Sequence, residues 1–206
     1  MQDAFAGAWV REPHLSAAML GSLYELNHRF LDLCAARADD WRLPAQLKLP
    51  GDIPAQVAPL SAAQRAAAAH CPYALFDLRF EDDEYWRARL ASAGEWCIAD
   101  AAAALDGTAD FVRLALFFAW HVASSAAFAA QLFLGMQAHT ALAFRGATLN
   151  CLPALVASEA AHLTARWCTS NAYWSALTRA AARADPARLR KVQLFGLQLA
   201  AASRLD

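Results

Sequence analysis

The chain has 206 residues, sufficient for one large domain or for two of about 100 residues each. A hydrophobic fraction of 58% against 18% charged residues supplies a real core and implies a further buried surface, against a partner, a second copy or a membrane. The net charge of −1 divides into −5 over residues 1–100 and +4 over residues 101–206, so neither half carries the broad basic excess of an autonomous DNA binder.

From His14 to Arg37, apolar residues recur at Leu15, Met19, Leu23, Leu26, Phe30 and Leu33, the three-and-four spacing of one buried helix face. Pro44, Pro50, Pro54 and Pro59 then mark residues 39–59 as an irregular connector. Ser61 and Gln64 have the form of a capping box, which predicts an Ala-rich helix from Ala62 that ends before Pro72. Phe76, Leu78 and Phe80 alternate with Asp77 and Arg79, a period of two that predicts a short strand. Asp82 to Ser92 returns to helix, and the acids of Glu81–Glu84 favour its N-terminal dipole.

Gly107 separates this half from the next, where Asp110 to Gln131 predicts a second long apolar helix. The run from Leu114 to Phe144 holds no Asp, Glu, Lys or Arg, which raises the question of a membrane span. Ser124, Ser125, Gln131 and His139 interrupt it, and a helix buried between protein layers is the expectation. Asn150 is expected to cap a helix from Cys151 with Pro153 in its first turn. Leu163, Ala165 and Trp167 alternate with Thr164 and Arg166 as a second short strand. Asp185 and Pro186 start a last helix whose face is Leu189, Val192, Phe195 and Leu199. No basic stretch leads into an apolar leader, so no signal peptide is expected. Cys34, Cys71, Cys97, Cys151 and Cys168 include no Cys-x-x-Cys pair and point to free thiols in a reducing cytoplasm rather than a zinc ribbon or disulfide framework.

Two segments end alike: Tyr73–Trp86 reads YALFDLRFEDDEYW and Ala160–Trp174 reads AAHLTARWCTSNAYW. Tyr85 and Trp86 match Tyr173 and Trp174 at an offset of 88, Leu60 and Ser61 match Leu149 and Asn150 at 89, and His28 matches His121 at 93. The order of predicted elements also repeats, so the expectation is a duplication with halves 1–106 and 107–206 in one intertwined unit. Tyr85, Trp86, Tyr173 and Trp174 are then equivalent anchors of an internal pseudo-dimer, seated in the core or between the halves.

Both halves also carry stretches similar to the flagellar transcriptional regulator FlhD family. In the first half these are Leu23-Tyr24-Glu25-Leu26-Asn27, Phe30-Leu31, Ala36-Arg37 and Leu78-Arg79-Phe80. In the second they are Leu134-Gly135-Met136, Phe144, Thr148-Leu149, Leu155 and the closing helix around Gly196 and Leu199. The resemblance implies an all-α fold, here a tandem repeat of FlhD-like modules with at most two short strands. It further implies a regulatory or adaptor role beside a zinc-containing FlhC-like partner. Where the family has a basic residue directly before its Leu-Gly pair, this chain has Phe133, which implies DNA contact through the partner rather than directly.

For chemistry, Glu25-x-x-His28 and Glu159-x-x-His162 have the spacing of di-iron helix ligands, the alternative reading of a metal-dependent enzyme. In the repeat frame Glu25 aligns with Phe118 and Glu159 with Pro72, so the pairs are not equivalent, and neither a metal nor a cofactor is expected. His121 with Ser124 and Ser125 lacks a nucleophile elbow and an orienting third residue, and reads as a buried polar helix contact. A structural adaptor in secretion or motility is a third reading. Arg179, Arg183, Arg188, Arg190 and Lys191, with Arg79 and Arg166 from the two strands, form the expected partner or nucleic-acid surface. Seven tryptophans favour an interface-rich protein.

Overall fold

The computed structural model describes residues 16–36, 47–92 and 107–203. Leu15, Cys97 and most of the first part of the proline-rich connector lie outside them. Helix α1 (Ala17–Ala36) buries Leu23, Leu26, Phe30 and Leu33 as their spacing predicts, and Asn27 shares that face. The connector is not wholly irregular, because α2 (Ile53–Val57) forms inside it. Pro54 falls in the first turn, where its missing amide costs nothing, and Ile53 and Val57 are buried. Helix α3 (Ala62–Ala69) starts at the predicted capping box: Ser61 Oγ accepts from Gln64 N, and Gln64 Oε1 accepts from Ser61 N at 2.8 Å.

Strand β1 (Phe76–Asp77) is shorter than the alternation predicts, because Arg79 adopts left-handed backbone (φ +58°) and turns the chain toward α4 (Asp83–Ser92). Helix α5 (Gly107–Ser125) stops before the predicted Gln131. Ala126 leaves helical backbone, and the chain resumes as a single turn, α6 (Ala127–Ala129), followed by a π-helical turn (Ala130–Leu134) that Gly135 closes at φ +79°. That break redirects a long apolar run so that Ala130 and Leu134 are buried as well.

Helix α7 (Ala138–Gly146) and a 3-10 turn (Leu149–Cys151) lead into α8 (Leu152–Ala160). Asn150 lies within the 3-10 turn and caps nothing; Cys151 holds the N-cap position and Pro153 sits in the first turn. Strand β2 (Thr164–Ala165) is ended by Trp167 at φ +50° and precedes α9 (Asn171–Ala182). Helix α10 (Pro186–Ala202) begins at Asp185, whose Oδ1 accepts from Arg188 N at 3.0 Å. Its buried line is Leu189, Val192, Gly196 and Ala200, not the predicted Leu189, Val192, Phe195 and Leu199. Gly196 rides against Tyr73, where a Cβ would collide with the phenol, and this approach turns Phe195 outward to 38% exposure.

These elements are overwhelmingly helical, as the all-α expectation requires. They pack around α1 and α5, which lie against each other. Helix α1 carries α2 and α3 on its flank, and α5 carries α7 and α8. Strands β1 and β2 pair antiparallel, Phe76 opposite Ala165 and Asp77 opposite Thr164. Two more contacts cross between early and late elements: α4 lies on α7, and α9 lies on α2 and α3. Among the described residues no single helix is long and apolar enough to cross a membrane; α5 buries Phe111, Val112, Leu116 and Phe118 in the core.

Fully buried Asn27 organises the approach to β1. Its Nδ2 donates to the carbonyls of Ala69, Cys71 and Tyr73 at 3.2, 3.3 and 2.8 Å, and its Oδ1 accepts from Leu75 N at 2.9 Å. A buried chain segment that belongs to no helix or ladder needs such a partner for its backbone polar groups.

Candidate functional site

Trp86 and Trp174 are both fully buried, and their ring nitrogens are held alike. Trp86 Nε1 donates to Leu78 O and Trp174 Nε1 to Arg166 O, each at 3.0 Å. In the turns ahead of them, Asp82 N donates to Arg79 O at 2.9 Å and Ser170 N to Trp167 O at 2.8 Å. Asp82 Oδ1 accepts from Tyr85 N at 2.9 Å, and Ser170 Oγ accepts from Tyr173 N at 3.4 Å. Every counterpart in these pairs stands 88 residues further on. Under the same offset the ladder maps onto itself, the Phe76–Ala165 pair becoming Thr164 and Asp77.

The tyrosines beside those tryptophans reach across. The Tyr85 hydroxyl donates to the fully buried Glu159 carboxylate, 2.7 and 2.8 Å from its two oxygens, and Arg89 Nε donates to the same group at 3.3 Å. Burial, then the hydrogen bond to Glu159, pushes the Tyr85 phenol up to about 12. Tyr173 donates to the Tyr73 hydroxyl at 3.1 Å, and burial raises both phenols. Glu159 is thus engaged by protein donors, while Glu25 is exposed on α1 and His28 Nε2 stands 3.6 Å from Asp32 Oδ1. His162 meets Tyr85 edge-on at 5.5 Å. Among the described residues no three His, Cys, Asp or Glu side chains converge on a metal-sized space. His121, Ser124 and Ser125 are exposed, so the buried polar contact expected there does not form.

The acidic run is divided in its duties. Asp82 caps α4, whereas Asp83 serves the start of α7: its Oδ1 accepts from Thr140 N at 2.8 Å and Thr140 Oγ1 at 2.6 Å, and its Oδ2 lies 3.1 Å from His139 Nδ1. Desolvation raises the Asp83 carboxyl, but the Thr140 and His139 bonds outweigh it and hold the group below its ordinary range.

Four of the predicted cations converge. Arg179 and Arg183 from the end of α9, and Arg188 and Lys191 from α10, line a groove of about 280 Å³ whose floor is Ala176, Ala180 and Val192. Arg188 is paired with Asp185 at 3.2 Å and Arg179 Nε donates to Ser175 O at 2.9 Å. The chain matches no family model, no curated protein and no solved structure.

The other predicted cations lie apart from the groove. Arg190 lines a separate depression with His70 and Leu189. Arg79 pairs with Asp82 at 2.5 Å and covers the Tyr85 ring at 4.2 Å. Arg166 is not a surface residue: it is 7% exposed, its Nη1 donates to Phe133 O at 2.8 Å, and its guanidinium lies 4.7 Å from the Trp167 ring centroid. Burial lowers its pKa, with Asp77 and Glu81 opposing that shift. The structural burdens of Asn27 and Glu159 are not apparent from residue type alone. The signal for Asn27 was an amide within the Leu23, Leu26 and Phe30 stripe.

Proposed function

We propose that this chain is an intramolecular pseudo-dimer of two FlhD-like halves, acting as a non-enzymatic regulatory or adaptor protein. It engages an acidic segment of a protein partner through the groove between α9 and α10. The observation that carries the docking surface is the convergence of Arg179, Arg183, Arg188 and Lys191 around a small apolar floor. A basic rim on apolar ground suits an acidic amphipathic segment, steering the encounter while the floor takes its apolar side chains. The duplication is supported by the two Trp hydrogen bonds, the two turns ahead of them and the ladder that exchanges its own pairs at one offset. The regulatory role rests on the FlhD resemblance, and DNA is reached through the partner.

The test captures partners from the native cell with the full chain and with an Arg183→Glu/Lys191→Glu variant, then titrates the recovered partner with each at low and high salt. A partner lost on charge reversal, and weakened by salt as rim charges are screened, supports the reading. A partner that binds both forms equally refutes the groove. Promoter DNA shifted only when chain and partner are mixed supports the regulator, and its absence leaves an adaptor with no role at DNA.

A further inference from the structure

Two adjoining cavities of about 240 and 230 Å³, away from the basic groove, share Glu81, Gly135 and Arg166 in their walls. Among the described residues, of the three guanidinium nitrogens of the buried Arg166 only Nη1 has a hydrogen-bond acceptor. Nη2 and Nε pass over Gly135, where a Cβ would lie 2.9 Å from Nη2, so a residue without a side chain keeps this edge of the cation uncovered. Ala138, the first residue of α7, borders the same space, and the Gln137 side chain does not cap that helix. Asp83 already takes the Thr140 amide at this start, so what α7 offers the cavity is its Ala138 edge.

Exposed Glu81 lines both cavities, and its charge is felt at Arg166, yet no ion pair joins the two. Asp77, the other carboxyl in the walls, has Oδ1 engaged by Phe80 N at 3.2 Å. Opposite charges line the same pair of open cavities without touching. A simple anion there would meet Arg166 but confront Glu81 and Asp77, and a simple cation would do the reverse. At roughly 30 Å³ per water, the larger cavity has the room of about eight waters, which suits an amino-acid-sized molecule.

We propose that this crevice binds a small zwitterion of the α-amino acid class, its carboxylate on the free edge of Arg166 beside the Ala138 end of α7, its ammonium on Glu81. Charge-assisted hydrogen bonds of this kind are the strong and directional ones. The residue 88 positions before Arg166 is Leu78, fully buried, and the residue 88 after Glu81 is Thr169, so the constellation is not repeated at the equivalent positions. The proposal stands independently of the basic groove.

Isothermal titration of the full chain with each proteinogenic L-α-amino acid tests it, with the matching carboxylic acid lacking the ammonium as control. The expected result is saturable one-to-one binding of at least one amino acid, about tenfold or more tighter than its des-amino control. Glu81→Gln, at an exposed position, weakens that binding about tenfold or more. Arg166→Met abolishes it, with thermal unfolding checking that this variant folds; if it does not, Glu81→Gln decides alone. No binding by any amino acid up to about 10 mM overturns the proposal. Equal binding of the des-amino acid, or binding indifferent to Glu81→Gln, overturns it too.

Discussion

Replacing Asn27 with leucine keeps an apolar helix face of similar volume while removing the amide that organises residues 69–75. The substitution strands Leu75 N, which now donates to Asn27 Oδ1 at 2.9 Å, and leaves three carbonyls without the Nδ2 donor they share. Each buried polar group left without a partner costs about 1–3 kcal/mol. The two lost amide hydrogens and the one lost acceptor amount to about three such interactions at the lower end of that range, because a carbonyl retains a second lone pair. Burying leucine returns about 1 kcal/mol or more. The net expectation is about 2 kcal/mol of lost stability, a sizeable fraction of the 5–15 kcal/mol typical of a domain. At roughly 2–4 °C per kcal/mol for a protein of this size, the melting midpoint falls by about 4–8 °C. Urea unfolding followed by far-UV circular dichroism, with calorimetry for the midpoint, measures it. A loss below about 1 kcal/mol at unchanged m-value would refute the assignment of Asn27 as organiser of this segment.

Three further substitutions probe the remaining contacts. Tyr85→Phe withdraws the hydroxyl from buried Glu159 and should cost about 1.5–3 kcal/mol in chemical denaturation, the range for a hydrogen bond to a charged group. The folded-state pKa of Tyr85, about 12 against the ordinary 10.0, makes wild-type stability full below pH 10 and declining as pH rises through 12. The Phe variant should decline less steeply in that window, with Tyr73 and Tyr173 still contributing. Gly196→Ala drives a methyl into Tyr73 and should destabilise by about 1–3 kcal/mol through overpacking, with Trp fluorescence reporting a shifted α10; an unchanged melting curve would contradict the close approach. Asp83→Asn tests the bond to the α7 start in acid. Because the folded carboxyl titrates below its ordinary 3.8, wild type holds this contribution above that value and loses it as pH falls through the folded pKa, and the variant should show a shallower acid loss.

The helices were legible wherever a local rule was decisive: the α1 stripe, the Ser61–Gln64 box and the Asp185–Pro186 start need only nearby residues. What failed depended on partners remote in sequence. Phe195 looked like a core position, but Tyr73, more than 100 residues earlier, lies against Gly196 and rotates the helix so that Phe195 faces outward. Asp83 looked like an ordinary cap for its own helix, and its hydrogen bonds belong to α7. Arg166 and Arg79 looked alike because both sit at the end of a strand pattern. The 88-residue frame instead sets Arg166 against Leu78 and Arg79 against Trp167, so the two arginines occupy different environments. The basic groove lay between these extremes: the clustering of charges was visible, but the separation of Arg190 from Arg188 and Lys191 depends on which side of α10 packs against α9.

The seating of α4 on α7 and of α9 on α2 has a consequence for a protein present at low abundance. Between separate molecules, such seats would empty on dilution, and occupancy would follow how much protein the cell holds. Within one polypeptide each seat sees its occupant at an effective concentration in the millimolar range typical of short tethers, however few copies are made. The arrangement therefore persists at any dose.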